Sequence, residues 1–329
     1  MIITQTPLRV SLAGGGTDFP DYFSRESGAV LSMAIDKYVY VIIQQRFDEK
    51  IYINYSQKEI VDRVDQIKHE LVREAMRITG VDRGVEVTTL ADVPSEGAGL
   101  GSSSSVTVGL LNAFYAYQGM QVPAEQLARE ACRIEVETLG KPIGFQDQYI
   151  AAYGNLRFIE FRRDGTVAVE KVAVPESRKR RLVSNLLLFF TNRTRSATTI
   201  LREQRQGIGE RLAELTRLRD AAFAARQAVL EDGLDAVGEI LHRSWQDKKA
   251  LASGISDPEI DALYDRACAA GASGGKLAGA GGGGFLLVYC PRERQNALRG
   301  ALADLRELPF MMEPDGSKVI FNVRRYEWK

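Results

Sequence analysis

Histidine is nearly absent from this chain. His69 and His242 are the 2 found among 329 residues, which leaves a Ser-His-Asp hydrolase or a histidine-rich metal centre poorly supplied. Cysteine is almost as scarce. Cys132, Cys268 and Cys290 lie far apart with no metal-type spacing, and an odd, sparse set suits a reducing compartment better than a disulfide framework. Neither sign of charge is in excess, with 43 acidic and 43 basic residues. No global field therefore steers the chain toward nucleic acid or an anionic membrane. No apolar stretch is long enough to span a bilayer, and the N-terminus carries no basic-then-apolar signal, so a cytoplasmic location is expected.

Two familiar phosphate motifs are missing as well. A Walker A loop would need Gly and Ser or Thr at positions that Ala270 and Leu277 occupy in the only near match. The dinucleotide pattern fits Gly279 to Gly284 by letter, but Phe285-Leu286-Leu287-Val288-Tyr289 follows it and reads as a buried strand, not a helix.

What the chain has is glycine beside serine. Val93-Pro94-Ser95-Glu96-Gly97-Ala98-Gly99-Leu100-Gly101-Ser102-Ser103-Ser104-Ser105 leads into an apolar periodic segment, Val106 to Tyr117. Glycines let backbone approach a ligand closely. A serine cluster opening a helix presents N–H groups, hydroxyls and the positive end of the helix dipole. Gly97, Gly99, Gly101, Ser102, Ser103 and Ser104 are therefore candidates to cradle the phosphates of ATP.

Three ordered motifs resemble the small-metabolite kinases named for galactose, homoserine, mevalonate and phosphomevalonate, the GHMP kinases. The first is Pro7-Leu8-Arg9-Val10-Ser11-Leu12-Ala13-Gly14, the second is the serine loop, and the third is Lys276 to Phe285. The resemblance implies an α+β, two-domain fold with ATP and sugar sites in the cleft between domains. It implies the cofactors ATP and Mg²⁺, and a small-molecule sugar phosphate as partner.

Gly15-Gly16-Thr17-Asp18-Phe19-Pro20, with Phe190-Thr191 followed by Arg195 and Ala197, is similar to the heptose branch of that family. Such kinases phosphorylate D-glycero-D-manno-heptose 7-phosphate at the anomeric oxygen, and the 1,7-bisphosphate feeds nucleotide-activated heptose for bacterial surface glycans. L-Fucose and other sugar kinases of the family share much of the pattern. A catalytically silent ATP- and sugar-binding regulator is a reading from a different class. The oligomeric state is open, with a homodimer among the options.

The resemblance also implies roles by position. Asp147, in Gly144-Phe145-Gln146-Asp147-Gln148, is the expected base, and Arg9 the cation beside it. Ser103 and Glu135 are the expected Mg²⁺ ligands. Asp18 is expected to hold ring hydroxyls, with Gly15 and Gly16 making room for a larger or anionic tail. Gly281 and Gly282 are expected on the floor of the substrate site. Arg193 and Arg195, beside a helix start, suit a substrate phosphate. Without the resemblance, Asp147 could be a turn or helix cap and Arg9 an exposed strand-end charge. Glu135 could be a surface charge, with Glu137 competing for its role, and the two arginines could cap a loop or pair with acidic neighbours. His69 is most simply a surface residue. Trp245 with Lys248 and Lys249 could line the sugar site, or Trp245 could sit on a half-buried helix face.

The periodicities predict strands at 2–13, Tyr38 to Gln44, Val85 to Leu90, Leu156 to Phe161, Val167 to Val174, Leu186 to Phe190, Phe285 to Tyr289 and Val319 to Val323. They predict helices at Pro123 to Gly140, along Thr198 to Trp245 and at Glu293 to Leu305. A polar connector, Pro175 to Arg181, is the expected junction between domains at 1–180 and 181–329. The basic run Arg178-Lys179-Arg180-Arg181 reads as a solvated connector rather than a binding site.

Overall fold

A computed structural model of the protein describes residues 1–93, 97–193 and 197–323. Its first sheet is built on two long strands. β1, Ile2–Ala13, pairs antiparallel along its length with β2, Gly28–Gln45. The β-branched run from Tyr38 forms the second half of β2, as residues that pack well on a pleated surface should.

β3 (Ile51–Asn54) and β4 (Lys58–Val61) make a hairpin, and β5 (Val85–Ala91) lies between β3 and the second half of β2. β6 (Leu156–Phe161) pairs with the first half of β2, and β7 (Val167–Lys171) pairs with β6. The second sheet holds β8 (Leu186–Phe190), β9 (Gly274–Leu277), β10 (Phe285–Tyr289) and β11 (Arg306–Glu307) in the order β11-β8-β10-β9, all antiparallel. The chain then returns, and β12 (Lys318–Asn322) joins the edge of the first sheet beside β1. The fold is α+β, as expected.

Pro7 sits inside β1, where a missing N–H is normally tolerated only at an edge or a bulge. Here the β1–β2 register shifts between Pro7 and Leu8. Beyond that shift the backbone N–H of Arg9 donates to Leu100 O at 3.0 Å. The strand is thereby stitched to the glycine loop.

The serine-led helix, Ser102–Tyr117, packs on β1 and β2 with Val108, Leu110, Leu111 and Phe114 fully buried. The helix expected from Pro123 is α-helical over Ala124–Cys132 and then widens to a π-helix over Arg133–Thr138. Such turns occur mostly as short interruptions, often at functional sites.

Several expectations change in detail. Pro175 to Arg181 is no open connector: Glu176–Ser184 is helical, and Leu182 and Val183 are buried. The 180/181 boundary thus falls inside a helix, and β12 belongs with the first half of the chain. Thr198 to Trp245 resolves into three helices, Ala197–Gln206, Leu212–Leu230 and Asp235–Lys249. Trp245 is fully buried in the apolar cluster behind the second sheet, so it is neither half-buried nor at a cavity wall.

Candidate active site

Arg9 projects from β1 just after the register shift, and Asp147 from the first turn of the helix Gln146–Tyr153. They meet as a two-pronged ion pair. Arg9 Nε donates to Asp147 Oδ1 and Arg9 Nη2 to Oδ2, both at 2.7 Å, and Arg9 Nη1 donates to Gly99 O at 2.5 Å. Fork-to-fork geometry of this kind fixes orientation as well as charge. The pair stands between two cavities and lines both.

The larger cavity, about 750 Å³, is lined by the serine loop and by Ala278 to Gly281 of the third motif. Gly101 is the N-cap of the serine-led helix and supplies no side-chain cap, which leaves the first helical N–H groups for a ligand. Ser102 Oγ is buried without a partner among the described residues. At Gly99 φ is +73°, and a Cβ would overlap the Ala278 carbonyl, so the second and third motifs touch backbone to backbone. These features fit a polyphosphate.

Farther along the same cavity stand Val39, Tyr55, His69, Leu90 and Val106. Tyr55 and His69 pack edge to face at 4.7 Å between ring centroids. His69 is therefore no plain surface residue. It is half-buried, caps the helix Glu70–Thr79 by accepting from Val72 N at 3.4 Å, and burial pushes its imidazole below the usual value. Leu90 keeps 55% of its surface exposed at this wall, as an apolar residue awaiting a cover would.

Glu135 comes from the π-helix and is completely buried. Ser103 Oγ donates to its Oε1 at 2.6 Å, while Ser104 Oγ and Gln148 Nε2 each donate to Oε2 at 2.8 Å. Burial pushes its carboxyl up, opposed by Lys141, whose Nζ lies 3.8 Å from Oε1, and by those three donors. A carboxylate beside a serine hydroxyl at a phosphate-ready helix start is a donor set that suits Mg²⁺, which favours one or two carboxylates with phosphate and water oxygens. Glu137 does not share this place; it is exposed on the π-helix.

On the other side of the Arg9–Asp147 pair lies a smaller cavity lined by Ser11, Gly15, Gly16, Asp18, Gln146, Lys248 and Lys276. Asp18 is buried and accepts from Gly16 N at 3.0 Å and from Gln146 N at 3.2 Å. Burial, and then the nearby charge of Asp147, push its carboxyl up. Gly144 is required here because a Cβ would overlap the Asp18 carboxylate. Ser11 Oγ and Gln146 Oε1 are buried and unpartnered at this wall. Lys248 donates to Gly279 O, while Lys249 turns away to pair with Asp261 at 3.1 Å.

The sequence-expected residues thus fall into three groups. Arg9, Asp147, Gly15, Gly16, Asp18, Gly97, Gly99, Gly101, Ser102, Ser103 and Ser104 line one cavity or both, and Glu135 lies just beneath the serine loop. Gly281 and Gly282 are not on the floor of the smaller cavity. Gly281 lines the larger one, and Gly282 N donates to Ile255 O at 2.9 Å. Arg193 lines neither cavity. Its guanidinium holds Asp257 at 2.7 and 3.1 Å and Glu259 at 2.8 Å, the pairing with acidic neighbours that was the alternative. Arg195 lies outside the described residues, as do Pro94, Ser95 and Glu96.

Residues 54–155 match the GHMP kinases N terminal domain, and residues 225–306 the GHMP kinases C terminal family. The chain is 32% identical over 313 residues to the D-glycero-alpha-D-manno-heptose 7-phosphate kinase of Campylobacter jejuni, covering 91% of this chain and 92% of that one. It is 26% identical to the bifunctional fucokinase/GDP-fucose pyrophosphorylase of Arabidopsis thaliana over 98% of this chain, which spans 32% of that protein. A crystal structure of a D-glycero-D-manno-heptose 1-phosphate kinase from Bacteroides thetaiotaomicron superposes with a TM-score of 0.82 at 25% identity, covering 99% of this chain and 100% of that one.

Proposed function

The chain belongs to the GHMP kinase family and is a phosphotransferase, and from that premise we propose that it phosphorylates a heptose 7-phosphate at the anomeric hydroxyl. ATP is the phosphoryl donor in this reading and the 1,7-bisphosphate the product. The observation that carries it is the Arg9–Asp147 pair standing between a phosphate-ready loop and a polar, cation-lined acceptor cavity. The 32% identity to a heptose 7-phosphate kinase over nearly the whole chain supports the choice of sugar.

The roles follow from position. Gly97, Gly99, Gly101 and Ser102 to Ser104 would hold the phosphates of ATP, and Tyr55, His69 and Leu90 would cover its base. Ser103 and Glu135 would hold Mg²⁺, which when bound supplies the positive charge that phosphoryl transfer needs. A metal at Glu135 has to displace Lys141, which can fall back on Glu70 at 3.0 Å. Asp147 takes the hydrogen bond, and then the proton, of the anomeric hydroxyl. Arg9 fixes the carboxylate for that step and places a cation beside the group in flight. Asp18 holds ring hydroxyls, with Ser11 and Gln146 as further partners. The lobes are proposed as residues 1–180 and 181–329, with β12 returning to the first.

The test is ADP release with Mg-ATP against D-glycero-D-manno-heptose 7-phosphate, sedoheptulose 7-phosphate, mannose 6-phosphate, L-fucose, galactose and mevalonate. Strong preference for the heptose phosphate is expected. Turnover of L-fucose or galactose alone would keep the kinase and overturn the acceptor. No turnover of any of them, with ATP still bound, would favour the regulator.

A further inference from the structure

Two lysines in the acceptor cavity form no salt bridge among the described residues. Lys276, on β9, is 4% exposed and lines that cavity, and its ammonium donates no hydrogen bond and forms no ion pair among the described residues. Lys248, near the end of the helix Asp235–Lys249, is 6% exposed, and among the described residues its ammonium has only the Gly279 carbonyl. The acids nearby already hold partners of their own. Both oxygens of Asp147 are taken by Arg9, and both oxygens of Asp18 accept backbone N–H groups.

An ammonium buried without a partner is costly to keep. Burial first, and then the neighbouring cations, hold Lys248 down to about 8 and Lys276 well below the usual lysine range, against the opposing pull of Asp18 on both and of Asp147 on Lys248. Such a pair is retained at a cost that a bound anion would remove. Neither lysine lines the cavity of the serine loop, so the anion they await is on the acceptor side of the Arg9–Asp147 pair.

We infer that Lys248 and Lys276 form the subsite that reads the phosphate ester of the acceptor, in place of Arg193 and Arg195. The inference rests on the phosphorylated-sugar reading above and names the side chains that would enforce it. The lysines supply ammonium donors to phosphate oxygens, while Ser11 Oγ and Gln146 Oε1 remain for hydroxyls.

The experiment compares kcat/KM for D-glycero-D-manno-heptose 7-phosphate and for the same heptose without its phosphate, in wild type, Lys276→Met, Lys276→Arg and Arg193→Gln. Charge-assisted hydrogen bonds to a phosphate predict that Lys276→Met lowers the preference for the phosphorylated sugar by about 10- to 150-fold, mostly through KM. Lys276→Arg keeps the cation and should keep most of the preference. Folding is checked by thermal melting without ligand. Lys276→Met should melt no lower than wild type, because removing a buried unpaired charge is neutral or stabilising. Lys276→Gln serves if Met does not fold.

An unchanged preference in a folded neutral variant overturns the inference alone. So does an equal loss on both sugars, which would put the lysine on the transferred phosphoryl group, and so does collapse of the preference in Arg193→Gln. A wild type that uses only unphosphorylated sugars overturns the substrate reading, and the inference falls with it.

Discussion

Replacing Asp147 should cost activity and stability by separable amounts. The Arg9 side chain is 6% exposed and that of Asp147 23%, and they share two bonds of 2.7 Å. Removing one member of a buried ion pair costs about 3–5 kcal/mol, because the other charge is left uncompensated. Two features reduce that figure here: Asp147 keeps some contact with water, and Arg9 retains the Gly99 carbonyl. About 2 kcal/mol is expected for Asp147→Ala, or roughly a 3 °C drop in melting temperature for a chain of this size. Asp147→Asn keeps the shape and should lose less stability, yet its kcat should fall by at least about 100-fold, since an amide cannot take the hydroxyl proton. ATP affinity should change little in either variant. A double-mutant cycle with Arg9→Met should return a coupling above about 1 kcal/mol, measured by urea unfolding. Turnover within a few-fold of wild type in Asp147→Asn, or a coupling near zero, would refute the assigned roles.

Gly144→Ala drives a methyl group into the Asp18 carboxylate. It should raise the KM for the sugar with little change in that for ATP, and equal effects on both would refute the placement of Asp18. Tyr55→Ala removes the edge-to-face partner of His69 from the larger cavity. The KM for ATP should rise by about tenfold, the loss of one aromatic contact with its area; an unchanged value would move the base elsewhere.

Glu135→Gln should raise the Mg²⁺ concentration needed for half-maximal rate. It should also flatten the pH dependence of stability without metal. Burial raises the folded carboxyl above its usual 4.5, so the folded state holds the proton more tightly. That contribution is complete below about 4.5 and is lost as pH rises through the folded value. Wild type should therefore lose more stability than the variant as pH rises above about 4.5; parallel urea midpoints would contradict the reading.

Local periodicity made most strands legible. Leu186–Phe190 and Leu156–Phe161 lie where their apolar patterns put them. Ends and interruptions were harder, because they depend on packing. The π-turn that seats Glu135 leaves no mark that separates it from an ordinary amphipathic helix, and the helix Glu176–Ser184 was hidden by its basic residues. Motif spacing marked Arg9, Asp18, the serine loop and Asp147, and the fold brings them to the walls of the two cavities. Of the two readings left open for Arg193, its contacts favour pairing with acidic residues. Arg193 sits beside a helix start, but two acids distant in sequence, Asp257 and Glu259, occupy it. Lys276 was named only as the first residue of the third motif, and the pairing of β9 with β10 puts it inside.

Those distant residues behave as one mechanical unit. Arg9 N is held by Leu100 O and Arg9 Nη1 by Gly99 O, Gly99 abuts Ala278 and Gly279, and Lys248 holds the Gly279 carbonyl. Positions 9, 99, 147, 248 and 279 are thus linked through backbone groups and one ion pair, with little slack in any link. A side chain at Gly99 would therefore act on more than the phosphate loop. Forcing the second and third motifs apart pulls Gly279 from Lys248 and Gly99 from Arg9, so both cavities lose a wall together. Gly99→Ala should accordingly weaken ATP and sugar alike, whereas Tyr55→Ala touches only the nucleotide side and Gly144→Ala only the acceptor side. That contrast in KM patterns separates a shared frame from two independent pockets. If Gly99→Ala changed the KM for ATP alone, the coupling between the motifs would be absent and the lysines could not be counted as part of the same frame.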